Sequence, residues 1–323
     1  MPKKSILSAP HFHDEAAALA FIEARLWPNG PVCPRCQETV RVGRMGGKST
    51  KLGQCKCYRC RKPFAVTIGT VMESSHIPLH VWLQAMHLLC TSKKGISTHQ
   101  LHRTLGVTLK SAWFLSMRIR EAMKEIRGFF AGPLGGAGKT LEADETFIGP
   151  KGENRAYKPV AEKQIVMSLV ERGGQVRSFH VPNVTAATLR PILGTHAHRD
   201  SRFMSDESHV YTGIGWNFTE HGTVNHSAKE CVRDDVYTNT VEGYFSILKR
   251  GIYGVYQHVS EAHLKRYLAE FDFRYTNRAA RGVDDVARTD LAVMGIVGKR
   301  LTYRTISGNW TAPAWPPEAG PAV

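Results

Sequence analysis

Between residues 140 and 148 apolar and polar side chains alternate: Leu141, Ala143 and Phe147 are set against Glu142, Asp144 and Thr146. That is the period of a half-buried strand, so Asp144 is rigidly aimed from one face of a sheet. Residues 164–170 are apolar on both faces, and Gly173-Gly174 turns them into 175–181, which predicts a three-stranded antiparallel meander. A helix over 185–193 follows despite Pro191, then a short strand over 202–205 that ends at Asp206, and another strand over 223–226. From Thr238 the period becomes helical. Val241, Phe245, Leu248 and Ile252 make an apolar stripe, while Asn239, Glu242, Ser246 and Lys249 make a polar stripe beside it. The aromatic and basic stretch that continues to Arg281 predicts further helix packed behind the sheet.

The first half of the chain reads differently. Residues 14–27 form an amphipathic pattern with acids at its start, where the helix dipole favours them. Residues 78–89 predict a helix with Pro78 in its first turn. Residues 96–105, the Gly106-Val107 turn and residues 108–120, opening on the Thr108 cap, have the spacing of a helix-turn-helix. In that reading Lys110, Ser111 and Phe114 approach base edges, and Arg118 belongs to the basic surroundings. A glycine-rich linker over 128–139 marks a domain boundary. Its end, Gly138-Lys139-Thr140, superficially matches a phosphate-binding loop, but the required first glycine falls at Pro133 and a helix precedes it.

Cysteine spacing adds chemistry to this outline. Five of the seven cysteines lie between Cys33 and Cys60, which argues against a secreted disulfide scaffold and for a reducing compartment. Cys33-Pro-Arg-Cys36 and Cys57-Tyr-Arg-Cys60 are two knuckles with 20 residues between them, the pattern of a four-cysteine zinc ribbon. Cys55 with Cys60 offers another register, and the paired knuckle geometry favours Cys57. Arg41, Arg44, Lys48 and Lys51 make the intervening segment a basic hairpin. Across all 323 residues Lys and Arg number 43 against 28 Asp and Glu, a net charge of +15, which points to a polyanionic partner, nucleic acid first. No apolar run reaches membrane-spanning length and the N-terminus has no signal-peptide core, so the expected location is cytoplasmic, associated with the nucleoid, and no membrane partner is expected.

The zinc ribbon, the helix-turn-helix, Asp144-Glu-Thr-Phe-Ile-Gly149, Ser205-Asp206 and the block Asn239-Thr-Val-Glu-Gly-Tyr-Phe-Ser-Ile-Leu-Lys-Arg-Gly251 together resemble the insertion-sequence transposases of the zinc-ribbon DDE class, the fifteen-ninety-five family. The resemblance covers roughly residues 20–280 and is most specific in its last block. It implies an α/β catalytic domain of RNase H-like fold, a mixed five-stranded sheet with helices on both faces. The expected plan is an N-terminal helix over 1–27, a ribbon over 28–70, a helix-turn-helix domain over 76–127, the linker, a catalytic domain over 140–280 and a C-terminal extension over 281–323. Carried over, Asp144 and Asp206 match the first two acids. Either Asn239 or Glu242 matches the third position, with Glu242 favoured because a carboxylate binds magnesium better than an amide. Lys249, and beside it Arg250, would hold phosphate oxygens. The implied cofactors are Mg2+ or Mn2+ at the acids and Zn2+ at the cysteines. The implied partners are double-stranded DNA, as transposon ends and target, and a second copy of the chain.

Overall fold

The computed structural model describes residues 5–124, 132–149, 162–225, 227 and 232–302. It divides into two compact units, residues 1–130 with 285–323, and residues 131–284.

In the first unit, helix Glu15–Leu26 (α1) starts at Asp14, whose carboxylate accepts from Ala17 N, and buries Ala18, Leu19 and Ile22. The ribbon is an antiparallel sheet of Val42–Arg44 (β1), Cys55–Cys57 (β2) and Pro63–Phe64 (β3). Arg44, read from sequence as part of the basic hairpin, pairs instead with Glu23 of α1. Helices Leu79–Thr91 (α2), Thr98–Leu105 (α3) and Leu109–Met123 (α4) follow. Ser97 caps α3 through Gln100 N and Thr108 caps α4 through Ser111 N, while Gly106 stands between them at φ 66, a left-handed turn that costs glycine little. Helix Asp285–Met294 (α9), from the far end of the chain, closes this unit. Arg25 bonds both oxygens of Asp290, Arg288 donates to Cys90 O, and His87 meets Thr289. The stretch expected as an extension from 281 is thus, from 285, part of the first unit. The proline-rich end beyond it lies outside the described residues.

The second unit carries the sheet. Strands Thr140–Ile148 (β4), Gln164–Glu171 (β5), Val176–Val181 (β6), Arg202–Asp206 (β7) and Glu220–Val224 (β8) lie in the order β6-β5-β4-β7-β8. β5 is antiparallel to both neighbours, whereas β4, β7 and β8 run parallel. This is the mixed, RNase H-like sheet. Helices Ala186–His196 (α5), with Pro191 inside it, and His209–Gly215 (α6) cover one face over Leu141, Ala143, Leu169 and Phe203. Helices Asn239–Gly251 (α7) and Glu261–Thr276 (α8) cover the other over Ile148, Val166, Val170 and Val176. The strand expected over 223–226 begins instead at Glu220. Its polar composition hides it, and what makes it a strand is parallel pairing with β7. Gly215 ends α6 against β8, and a Cβ there would lie 2.0 Å from His221 Nδ1, so only glycine permits this approach.

β6 is an edge strand, and α8 blunts its outward donors. Asp272 accepts from Ser178 N at 2.8 Å and Thr276 Oγ1 accepts from Val176 N at 3.2 Å. Residues four apart on a helix lie on one face, which here matches the two-residue repeat of the strand edge.

Candidate metal centre and active site

Two groups of residues carry the chemistry. In the ribbon, the Sγ atoms of Cys33, Cys36, Cys57 and Cys60 all lie within 4.8 Å of one another. Cys33 and Cys60 stand 3.7 Å apart, and Cys36 and Cys57 3.5 Å. A tetrahedron with metal–sulfur bonds of about 2.3 Å has edges of about 3.8 Å, so this donor set fits zinc. Burial pushes the Cys33 thiol up to about 12, and a cation is what keeps such buried thiols ionised. Cys55 is buried too, but it pairs across the sheet with Phe64 and stands outside the four-sulfur group.

The acids are assembled by strand register. β4 and β7 pair in parallel as Thr140 with Arg202, Leu141 with Phe203 and Glu142 with Met204, so the offset between partners is the 62 residues (206 − 144) that separate Asp144 from Asp206. The pairing ends at Glu142 and Met204, two residues short of the aspartates, and the alternation of each strand puts Asp144 on the face of Glu142 and Asp206 on that of Met204, the same face of the sheet. Their fields overlap. Burial pushes the Glu145 carboxyl up to about 7, with the charges of Asp144 and Asp206 adding to the rise. Burial likewise raises the Tyr211 hydroxyl, which donates to Glu145 and feels both aspartates. Asp144 Oδ1 accepts from Glu145 N at 2.7 Å and Asp206 Oδ1 from Ser208 N at 3.1 Å, which fixes both carboxylates.

Helix α7 carries Asn239 and Glu242, the candidates for the third position. Val241, Phe245, Leu248 and Ile252 are buried, as the apolar stripe predicts, and Tyr244 joins them; Asn239, Glu242 and Ser246 are exposed and Lys249 is partly buried. Thr238 Oγ1 donates to Glu242 Oε1 at 2.9 Å. The oxygens of Asp144, Asp206 and Glu242 do not all lie within 4.8 Å of one another, as the four sulfurs do. Arg250 folds back on its own helix, bonding Ser246 O and Oγ.

Among the residues assigned to DNA in the helix-turn-helix reading, Lys110 is exposed and Ser111 and Phe114 are partly buried. Arg118 is different. It is buried, donates Nε to Leu301 O at 3.1 Å and stacks 4.7 Å over Phe114, so it is committed inside its own unit rather than presented to a duplex.

One residue of the site was missed by the pattern reading, where it counted only as a polar alternate. Glu142 is completely buried. Its oxygens accept from Thr240 N at 2.8 Å, Val241 N at 3.0 Å, Thr240 Oγ1 at 2.8 Å and Arg172 Nε at 2.6 Å. Thr238, at the position a capping threonine would occupy, makes no side-chain cap bond to α7. The helix is capped from the sheet instead. The only local signal was an acid two residues before Asp144, hence on the same face.

The sheet order and its covering helices define an RNase H-like domain in a chain that also carries a four-cysteine ribbon. Comparison with known proteins makes this particular. Residues 133–276 match the ISXO2-like transposase domain and residues 13–63 the transposase zinc-ribbon domain. By these family matches the chain carries an ISXO2-like transposase domain with an N-terminal transposase zinc ribbon. That family implies phosphoryl transfer supported by a divalent metal. A relative, the "Uncharacterized protein in transposable element ISH50" of Halobacterium salinarum, is 27% identical over 296 residues, covering 85% of this chain and 93% of its own length. Among solved structures, the Mos1 transposase paired-end complex with left transposon end aligns over 62% of this chain and 77% of its own at 12% identity, with a TM-score of 0.20, too low to carry an argument. Among the described residues, no helix is long and apolar enough to cross a membrane.

Proposed function

We propose that the chain binds the terminal repeats of a mobile element and catalyses metal-dependent DNA cleavage and strand transfer. The observation that carries this reading is the β4–β7 register, whose offset of 62 residues (206 − 144) leads toward Asp144 and Asp206 on one sheet face. A relative from a transposable element adds weight.

In-line displacement at a phosphodiester needs an activated oxygen nucleophile and a stabilised leaving oxygen, which a pair of hard cations about 4 Å apart supplies. The donor set of Asp144, Asp206 and Glu242 is all carboxylate, which suits Mg2+ or Mn2+. Asp144, Asp206 and Glu242 would hold the ions, which would supply the charge that activates the attacking oxygen and stabilises the leaving one. Asn239, one turn before Glu242, is the alternative third ligand. Lys249 and Arg250 hold phosphate oxygens and orient the strand for attack. The ribbon and the pair α3–α4 supply DNA affinity, with Lys110 and Ser111 at the start of α4 nearest the bases and Phe114 behind them. Bringing two ends together requires at least a dimer on DNA.

The test uses Asp144→Asn and Asp206→Asn. Both abolish Mg2+-dependent cleavage of end-containing DNA while end binding by gel shift stays at the parent level, and the parent joins pre-cleaved ends to a target plasmid. A variant that still cleaves removes its residue from the site. Cleavage by the parent without joining makes the protein a nuclease on the same fold, and metal-independent binding without cleavage makes it a DNA-binding regulator.

A further inference from the structure

We propose that Glu142 and Arg172 are positioning residues for the metal site: together they set the distance between Asp144 and the first turn of α7, which carries Glu242. This rests on the reading of Asp144, Asp206 and Glu242 as metal ligands.

Glu142 and Asp144 are consecutive residues on one face of β4, about 7 Å apart along a rigid strand. The first grips the N-terminus of α7 through two backbone amides and one hydroxyl, all within 3.0 Å. Arg172 follows β5 and is the counter-charge. Besides Glu142 it donates to Asp235 O and Tyr237 O, each at 2.8 Å, and lies 3.5 Å over the Tyr237 ring. It therefore holds the segment that leads into α7 as well as the carboxylate that caps it. Arg202 of β7 pairs with Glu220 and with Asp235, fixing the same segment from the other side. The chain entering the helix is thus tied to two strands of the sheet within a few residues of Glu242.

A packing role alone does not account for this choice of residues. Burying an ion pair costs desolvation that an apolar contact of the same size avoids. What the pair supplies is direction, because both carboxylate oxygens are committed to named donors and tolerate little displacement. Thr238, bonded to Glu242 rather than capping the helix, leaves that task to Glu142.

The experiment is a Mn2+ titration of the full-length, zinc-loaded protein, read by electron paramagnetic resonance without DNA and well below the unfolding temperature. Zinc is diamagnetic and does not interfere. Asp144→Asn removes the bound Mn2+ signal. Glu142→Gln, which keeps the shape but turns an acceptor into a donor facing Arg172, weakens Mn2+ binding about tenfold to a hundredfold. Glu242→Gln weakens it comparably, and Glu142→Gln with Glu242→Gln is no weaker than Glu242→Gln alone, because the effect of residue 142 is routed through α7. Parent-like Mn2+ binding by Glu142→Gln, or additive losses in the double variant, overturns the inference and leaves the site standing. Parent-like binding by Asp144→Asn sinks the site reading instead. If Glu142→Gln does not fold, Arg172→Lys takes its place: it keeps the charge and loses the paired carbonyl contacts, and it too binds Mn2+ more weakly if the inference holds and like the parent if it does not.

Discussion

The ribbon and the sheet hold their functional groups on opposite terms. The four sulfurs come from two short knuckles on a three-stranded sheet of eight residues, which has a small core centred on Phe64 against Trp27 and gains cohesion from a bound ion. The carboxylates of the sheet come from three elements spread over about a hundred residues and are presented by a scaffold with hydrophobic clusters on both faces. In one region a bound ion would join the elements that hold it, and in the other the elements are joined by their own core before any ion is bound. Glu142 is the clearest sign of the second arrangement, a buried charge that sets where a helix begins.

The harshest challenge to this contrast is to remove zinc. Cys33→Ser should release the ion, measured by metal analysis, and strip hydrogen-exchange protection from β1–β3, since structural zinc contributes on the order of 10 kcal/mol to folding such a module. Protection of β4 and β5 should stay at the parent level. Retained zinc would refute the ribbon, and loss of protection throughout the sheet would refute the independence of the two regions. The converse is Phe203→Ala. Phe203 is fully buried and stacked 4.6 Å from Phe218, and its truncation should cost the sheet unit about 3–5 kcal/mol in denaturant unfolding while zinc content is unchanged.

A gentler probe uses pH. Asp272 is partly buried beside the β6 edge, and its removal from water outweighs its donors Ser178 and Tyr244 to push its carboxyl up to about 6. The folded state therefore binds the proton more tightly than the unfolded chain. Its contribution is fully present below about pH 4, is lost as pH rises toward 6, and is constant above that. The loss amounts to about 3 kcal/mol. Relative to the parent, Asp272→Asn should gain that much between pH 4 and pH 7 in urea unfolding. A difference that stays constant over that range would show the carboxylate ionised throughout.

Much of this was legible along the chain, and the exceptions share a cause. The ribbon ligands, the helices of the first unit with their Asp14, Ser97 and Thr108 caps, and the strand periodicity around Asp144 depend on neighbours within a few residues. The extra length of β8, the withdrawal of Arg118 from any DNA surface and the folding of α9 into the first unit each depend on partners far along the chain. Thr238 is instructive. Its identity and place announce a cap, yet a carboxylate nearly a hundred residues earlier takes the amides.

By itself the sequence determined which atoms are available: four thiols at knuckle spacing, an aspartate within a strand, another at a strand's end and a glutamate near a helix's start, and a basic surplus of 15 charges. Local spacing and period encode these, because side-chain chemistry and backbone geometry repeat over a few residues. Only the tertiary structure decided that the strands of Asp144 and Asp206 run side by side in parallel and that Glu142 caps α7. Strand register and helix capping across a sheet are settled by the packing of distant segments, which no short stretch of chain contains.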